Sequence, residues 1–261
     1  MSLALKSDSA ATKIVISGKN LRKAFDGVIA IDDVSFGIEE GTVTALIGPN
    51  GSGKTTLLDL VTGFLSPDRG EIYLCDQKIT ALPPHEIAGL GVSRTFQDLR
   101  LLNRLSVLDN VLLAYPNQRN ELFLNALFSN SIQREEARNR EAAFQLLESG
   151  GLSYKADDLT GSLSYGQQKV LSLVCCLATS KKIVLLDEPV AGVSPEMSAK
   201  IIELLLAMKA GAKTIVLVEH DIQAVRKAAD QVLVMDDGRV IAAGLKEEVL
   251  GRPEIIEAYL T

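Results

Sequence analysis

The segment TVTALIGPNGSGKTTLLDLV, residues 42–61, constrains this chain more than any other. Its opening is apolar and strand-like, and its close, KTTLLDLV, reads as a helix. Between them, Gly48 to Thr55 fits G-x-x-x-x-G-K-[ST] at every position. Gly48, Gly51 and Gly53 let the backbone curl so that successive N–H groups point inward at phosphate oxygens. Lys54 places a point charge near the β- and γ-phosphates, and Thr55 offers its hydroxyl to Mg²⁺. Pro49, Asn50, Ser52 and Thr56 complete the expected phosphate-binding segment. A glycine-rich turn with no ligand would need neither the strand before it nor the helix after it.

A strand that feeds such a loop belongs in an open α/β sheet, and the rest of the chain agrees. KIVISG and VIAIDDVSFGI precede the loop as strand patterns, and EIYLCDQ follows the turn SPDRG as another. From about Leu99 to Ser180 the apolar spacing turns helical. Residues 132–149 read as a helix with Gly150 as its C′ residue, and ELFLNALF, residues 121–128, is apolar on more than one face. From Lys182 the α/β pattern resumes. KIVLLDE and TIVLVEH look like strands buried on both faces, and Pro195 opens a helix that Gly211 closes. VLVMDDGRVIAAG reads as a hairpin turning at Asp237-Gly238.

The 261 residues suffice for a sizeable core, and 47% hydrophobic with 23% charged content is ordinary for a globular protein. The formal net charge of −6 weighs against a nucleic-acid binder working by bulk electrostatics. Cys75, Cys175 and Cys176 show no metal-ligand spacing, and the adjacent pair sits in an apolar run; this usage suits a reducing compartment. The first residues carry no apolar run of signal-peptide length, and no stretch approaches the roughly 20 apolar residues of a membrane span.

Two further segments carry chemistry. In KIVLLDEP, four apolar residues bring Asp187 to the C-terminal end of a buried strand, the edge where open α/β sheets bind ligands. Asp187 can hold a metal through its water shell, and Glu188 can polarise an attacking water. In LSYGQQK, Ser164 and Gln167 have the spacing of a capping box, and Tyr165 and Gly166 open a helix whose N-terminus suits an anion. One chain thus offers two phosphate seats.

With GVSRTFQDLRLL, DEPVAGVSP, LVEHD and EAYL, these segments resemble the nucleotide-binding subunits of ABC transporters over residues 14 to 260, most closely the ATPases of branched-chain amino-acid importers. The resemblance implies an α/β phosphate-loop core with a mainly parallel sheet, an N-terminal antiparallel β layer and an inserted helical subdomain. It places the core at residues 12–98 and 181–247, the helical signature subdomain at 99–180 and a C-terminal helix at 248–261. It also explains the second seat: Ser164, Gly166 and Gln167 would meet ATP held by a partner subunit, identical or related. Glu188 would be the general base, His220 the switch histidine at the γ-phosphate and Gln97 the glutamine near Mg²⁺ and the attacking water. Thr55, Gln97 and Asp187 would then be the metal partners, and Phe25 would stack on adenine. Tyr165 departs from the general signature, which has a second glycine there, and AGVSP departs from the commoner leucine-asparagine form.

ATP and Mg²⁺ are the implied cofactors, and ATP hydrolysis coupled to import is the implied activity. Membrane-spanning permease subunits are the implied partners, with an extracytoplasmic solute-binding protein acting indirectly. The chain would sit peripherally on the cytoplasmic face of the membrane. Three rivals share the phosphate loop: a lipid or polysaccharide exporter ATPase, an ABC ATPase acting on nucleic acid, and a small-molecule kinase. The nucleic-acid class usually brings a coiled coil, zinc-binding cysteines or a second cassette, and a kinase needs no LSYGQQ.

Overall fold

The computed structural model describes residues 13–95, 101–115, 129–179 and 181–255. Gln97, the segment ELFLNALF and the closing EAYL lie outside the described residues.

The chain opens with β1 (Ile14–Phe25), β2 (Val28–Glu39) and β3 (Val43–Ile47), then α1 (Lys54–Val61). A hairpin of β4 (Arg69–Leu74) and β5 (Gln77–Lys78) follows, then α2 (Pro84–Gly89) and β6 (Val92–Arg94). Among the described residues α3 (Val107–Ala114), α4 (Ser129–Ser149) and α5 (Tyr165–Ala178) come next. The chain then alternates through β7 (Ile183–Asp187), α6 (Pro195–Ala210), β8 (Thr214–Val218) and α7 (Ile222–Ala228). It finishes with β9 (Gln231–Asp236), β10 (Arg239–Leu245) and the one-turn α8 (Lys246–Val249).

Two compact units emerge. The first holds the chain up to Arg94, then Lys182–Ala191, and the chain from Leu205 onward; the second holds Thr95–Lys181 and Gly192–Leu204. In the first, the six-stranded sheet runs in the order β10-β9-β3-β8-β7-β6. Its strands are parallel except for β10, which turns back on β9. Asp237 and Gly238 at that turn have φ of 42° and 73°, as a tight hairpin of this hand demands. Every residue of β3, β7 and β8 is buried, which is why these strands read as unbroken apolar runs. A four-stranded antiparallel sheet, β2-β1-β4-β5, completes the unit.

Some boundaries differ from the sequence pattern for physical reasons. β1 continues through the polar KNLRKAF, because β2 and β4 both pair with it and its bulges absorb the irregular spacing. The strand in EIYLCDQ stops at Leu74, and Cys75 takes φ 52° in the turn to β5. At the end of α4 the left-handed residue is Gly151 (φ 67°) rather than Gly150. Gly150 instead lies where a Cβ would meet Val174 of α5 at 2.8 Å, so it permits close helix packing inside the second unit. In that unit α5 buries Val170, Leu171, Leu173 and Val174.

Candidate nucleotide site

The parallel strands β3, β8 and β7 are neighbours and end at one edge of the sheet. The chain leaves β3 into the phosphate loop, β7 into Glu188, and β8 into Glu219 and His220. Strand order alone therefore brings three sequence-distant segments together, at the edge where such sheets hold ligands.

The loop is built as its glycines require. Gly48, Gly51 and Gly53 have φ of 148°, 82° and 99°. A Cβ on Gly48 would lie 2.0 Å from the Met235 carbonyl oxygen, so no other residue fits. α1 starts at Lys54, which lies almost wholly buried and donates from Nζ to the carbonyls of Gly48 and Pro49, each at 2.8 Å. Burial pulls the Lys54 pKa below the ordinary ammonium value, against the pull of Glu188 and Asp187. Ser52 is buried, and Pro49, Asn50, Gly51 and Thr55 are exposed.

Asp187 closes β7 with its side chain 3% exposed. Burial raises its pKa, and the Arg94 guanidinium, 3.5 Å from Oδ2, opposes that rise. Its other oxygen, Oδ1, is buried and has no hydrogen-bond partner among the described residues. A buried carboxylate oxygen left over in this way fits a hard cation or a water of its shell. Among the described residues no cluster of three or more His, Cys, Asp or Glu could hold a metal alone. Any ion here would therefore draw on Asp187, a hydroxyl such as that of Thr55, and phosphate oxygens.

Glu188 follows with φ 49°, left-handed in a residue that has a Cβ. Its carboxylate Oε1 lies 3.5 Å from His220 Nδ1. Phe25 ends β1, 40% exposed, with Lys23 Nζ 5.5 Å from its ring centroid, so it is not a core aromatic.

The second unit carries the LSYGQQK segment. Ser164 caps α5 through its Oγ, which accepts from Gln167 N, while Gln167 Oε1 accepts from Ser164 N at 2.9 Å. The expected capping box is present in full. Gln167 Nε2 also donates to the Tyr154 hydroxyl at 3.2 Å. A Cβ on Gly166 would meet Met197 at 3.1 Å and Val193 at 3.7 Å, so the start of α5 fits closely against these two residues within this unit.

Sequence reasoning missed Arg94, Asp59 and Glu219. Arg94 reaches Asp59 of α1 through Nη1, and the fully buried Glu219 accepts from Val190 N. The signal was there in part: an arginine inside a short strand and a glutamate directly after four buried apolar residues both need partners.

Fold and site together define a phosphate-loop nucleotide-binding protein. The profile of the ABC transporter family matches residues 31–191. A probable branched-chain amino acid transport ATP-binding protein LivG of Archaeoglobus fulgidus is 38% identical over 94% of this chain and 95% of its own length. The high-affinity branched-chain amino acid transport ATP-binding protein BraF of Pseudomonas aeruginosa is 37% identical over 94% of this chain and 96% of its own. Among solved structures, an ATP-binding cassette of an ABC transporter in its ADP conformation matches 95% of this chain and 99% of its own at TM-score 0.79 and 38% identity. A dimeric ATP-binding cassette in a post-hydrolysis state, bound to ADP and Pi, matches at TM-score 0.72 and 26% identity, covering 88% of this chain and 98% of its own. The chain belongs to the ABC transporter family, as one of its ATP-binding subunits, which bind and hydrolyse ATP. That membership removes the small-molecule kinase reading.

Proposed function

We propose that this chain powers the import of branched-chain or closely related amino acids through separate membrane-spanning subunits. The observation that carries the reading is identity of 37–38% along nearly the whole length of ATPases named for that transport. Among the described residues no helix is long and apolar enough to cross a membrane, which suits a subunit held peripherally at the cytoplasmic face. A solute-binding protein outside the membrane would deliver the amino acid.

Each residue has a task in this reading. The loop Gly48 to Thr56 cradles the phosphates with its N–H groups, and Lys54 turns its ammonium from the loop carbonyls to the β- and γ-phosphates. Phe25 lies against the adenine. Mg²⁺, when bound, would supply positive charge to the phosphates, and Thr55 and Asp187, with Gln97 by the family resemblance, would hold it. Glu188 accepts a proton from the attacking water, with His220 beside its carboxylate and directed to the γ-phosphate. Ser164, Gly166 and the α5 N-terminus meet the γ-phosphate held by a second ATP-binding subunit. ATP then biases closure of the pair because it contacts the closed state better than the open one.

Isolation of the assembled complex from native membranes, followed by uptake assays in vesicles, tests the proposal. The expected result is a set of co-purifying membrane-spanning subunits and ATP-dependent uptake of labelled leucine, isoleucine or valine. Uptake of some other solute class, or export, would overturn the amino-acid assignment and leave the ATPase intact.

A further inference from the structure

Glu219 is fully buried, directly after the apolar β8 and directly before His220. None of the tasks above uses it. A carboxylate there is costly to bury unless its oxygens are filled by donors. Both are filled: Oε1 accepts from the Val190 N–H at 2.9 Å, and Oε2 accepts from the His220 N–H at 3.3 Å. The backbone N–H of Asp221 bonds to the same carboxylate. Burial raises the Glu219 pKa, and these peptide donors oppose the rise. With donors on both oxygens the group must act as an acceptor only, which an ionised carboxylate can do and an amide cannot.

The two loops joined in this way carry Glu188 and His220. Glu188 holds a left-handed φ of 49°, a conformation that persists only where the surroundings over-determine it. Its own N–H is held by the Val218 carbonyl at 2.9 Å, and Ala191 N closes a turn on the Glu188 carbonyl at 3.2 Å. The Val190 N–H inside that turn is held by Glu219. The strained turn is thus pinned twice to the end of β8, at Val218 and at the residue next to it.

We propose that Glu219 is a positioning residue for hydrolysis. Its carboxylate fixes the turn that presents Glu188 against the loop that presents His220, and so sets the 3.5 Å approach of His220 Nδ1 to Glu188 Oε1. Glu219 is wholly buried and acts through the two backbones whose N–H groups it accepts. The inference rests on the roles of Glu188 and His220 proposed above.

The test measures ATP turnover of the full chain, at a protein concentration where the wild type is active, for Glu219→Gln, Glu219→Asp and Glu188→Gln. A loosened catalytic pair with an intact phosphate loop predicts that Glu219→Gln lowers kcat about 10- to 100-fold. The KM for ATP should stay within about twofold, because no ground-state contact is removed. Glu219→Asp keeps both acceptor oxygens and should recover part of the lost kcat, which a purely bulk-packing role would not give. If Glu188→Gln turns over at the wild-type rate, the base assignment fails and takes this inference with it. If Glu188→Gln is inactive while Glu219→Gln keeps the wild-type kcat, the positioning role alone is overturned. Should Glu219→Gln not fold, hydrogen exchange of the Val190 amide in the unaltered protein decides. Strong protection supports the clamp, and exchange at the rate of an exposed peptide removes it.

Discussion

Arg94 Nη2 lies 3.5 Å from Asp187 Oδ2, and both side chains are almost wholly buried. The same guanidinium reaches Asp59 on α1 and the Thr62 hydroxyl, so one cation ties the helix after the phosphate loop to the acidic end of β7. Arg94→Ala would remove the cation that bridges the Asp59 and Asp187 carboxylates. Loss of one partner from a buried pair costs about 3–5 kcal/mol, and the partial exposure of Asp59 places this case at the lower end. Urea unfolding should show that loss, and Arg94→Ala with Asp59→Ala together should be more stable than Arg94→Ala alone. Equal stability of the two would deny the bridge its role.

Glu188→Gln keeps the shape of the side chain and removes its basicity. Turnover should fall about 10²- to 10⁴-fold, the span that a positioned general base contributes. ATP binding should survive, because the phosphate loop is untouched. With hydrolysis blocked, gel filtration in ATP should reveal a dimer that the wild type does not accumulate.

Much of this site could be read before any coordinates. The phosphate loop, Asp187 and Glu188 are legible because each is a short motif at the end of an unbroken apolar strand, and burial on both faces of β3 and β7 makes those strands conspicuous. The Ser164–Gln167 box is equally local, as both partners lie within one turn. Arg94 and Glu219 escaped because their partners are distant in sequence: Asp59 and Asp187 for the first, the Val190 peptide for the second. Only the strand order β3-β8-β7-β6 brings those segments side by side, and no periodicity encodes it. The length of β1 was hidden for a related reason, since pairing on both its edges overrides its polar composition.

Ser164 has a local duty and a proposed distant one, and the two differ in size. Removing the cap by Ser164→Ala should destabilise the chain by about 1 kcal/mol. If its hydroxyl also meets a partner's ATP, turnover should drop by far more than the unfolded fraction explains. Mixing Ser164→Ala with Glu188→Gln separates the duties, because in the proposed sandwich each pocket would draw its base and its signature from different chains. A mixed dimer should therefore carry one pocket with both residues intact and recover part of the activity that each variant lacks alone. Strict absence of recovery in a verified mixed dimer would confine Ser164 to its capping role.

The cysteines give a check on the second unit that is independent of nucleotide. Cys176 is buried, and Cys175 donates from Sγ toward the Asn110 carbonyl at 3.5 Å. Burial, and secondarily the neighbouring Cys176, pushes the Cys175 thiol up to about 12. Thiolate is the reactive form, so Cys175 should resist alkylation at pH 8 while the exposed Cys75 reacts. The sign for stability follows from linkage. A group whose pKa is raised in the folded state holds its proton better there, so its contribution is complete below the ordinary thiol value of 9.0 and is lost as pH climbs toward about 12. Mass spectrometry after brief iodoacetamide treatment should find label at Cys75 only, with Cys175 labelled after unfolding in urea. Replacing Cys175 by Ala should flatten the alkaline decline in Tm over that window, and an unchanged decline would place its origin elsewhere.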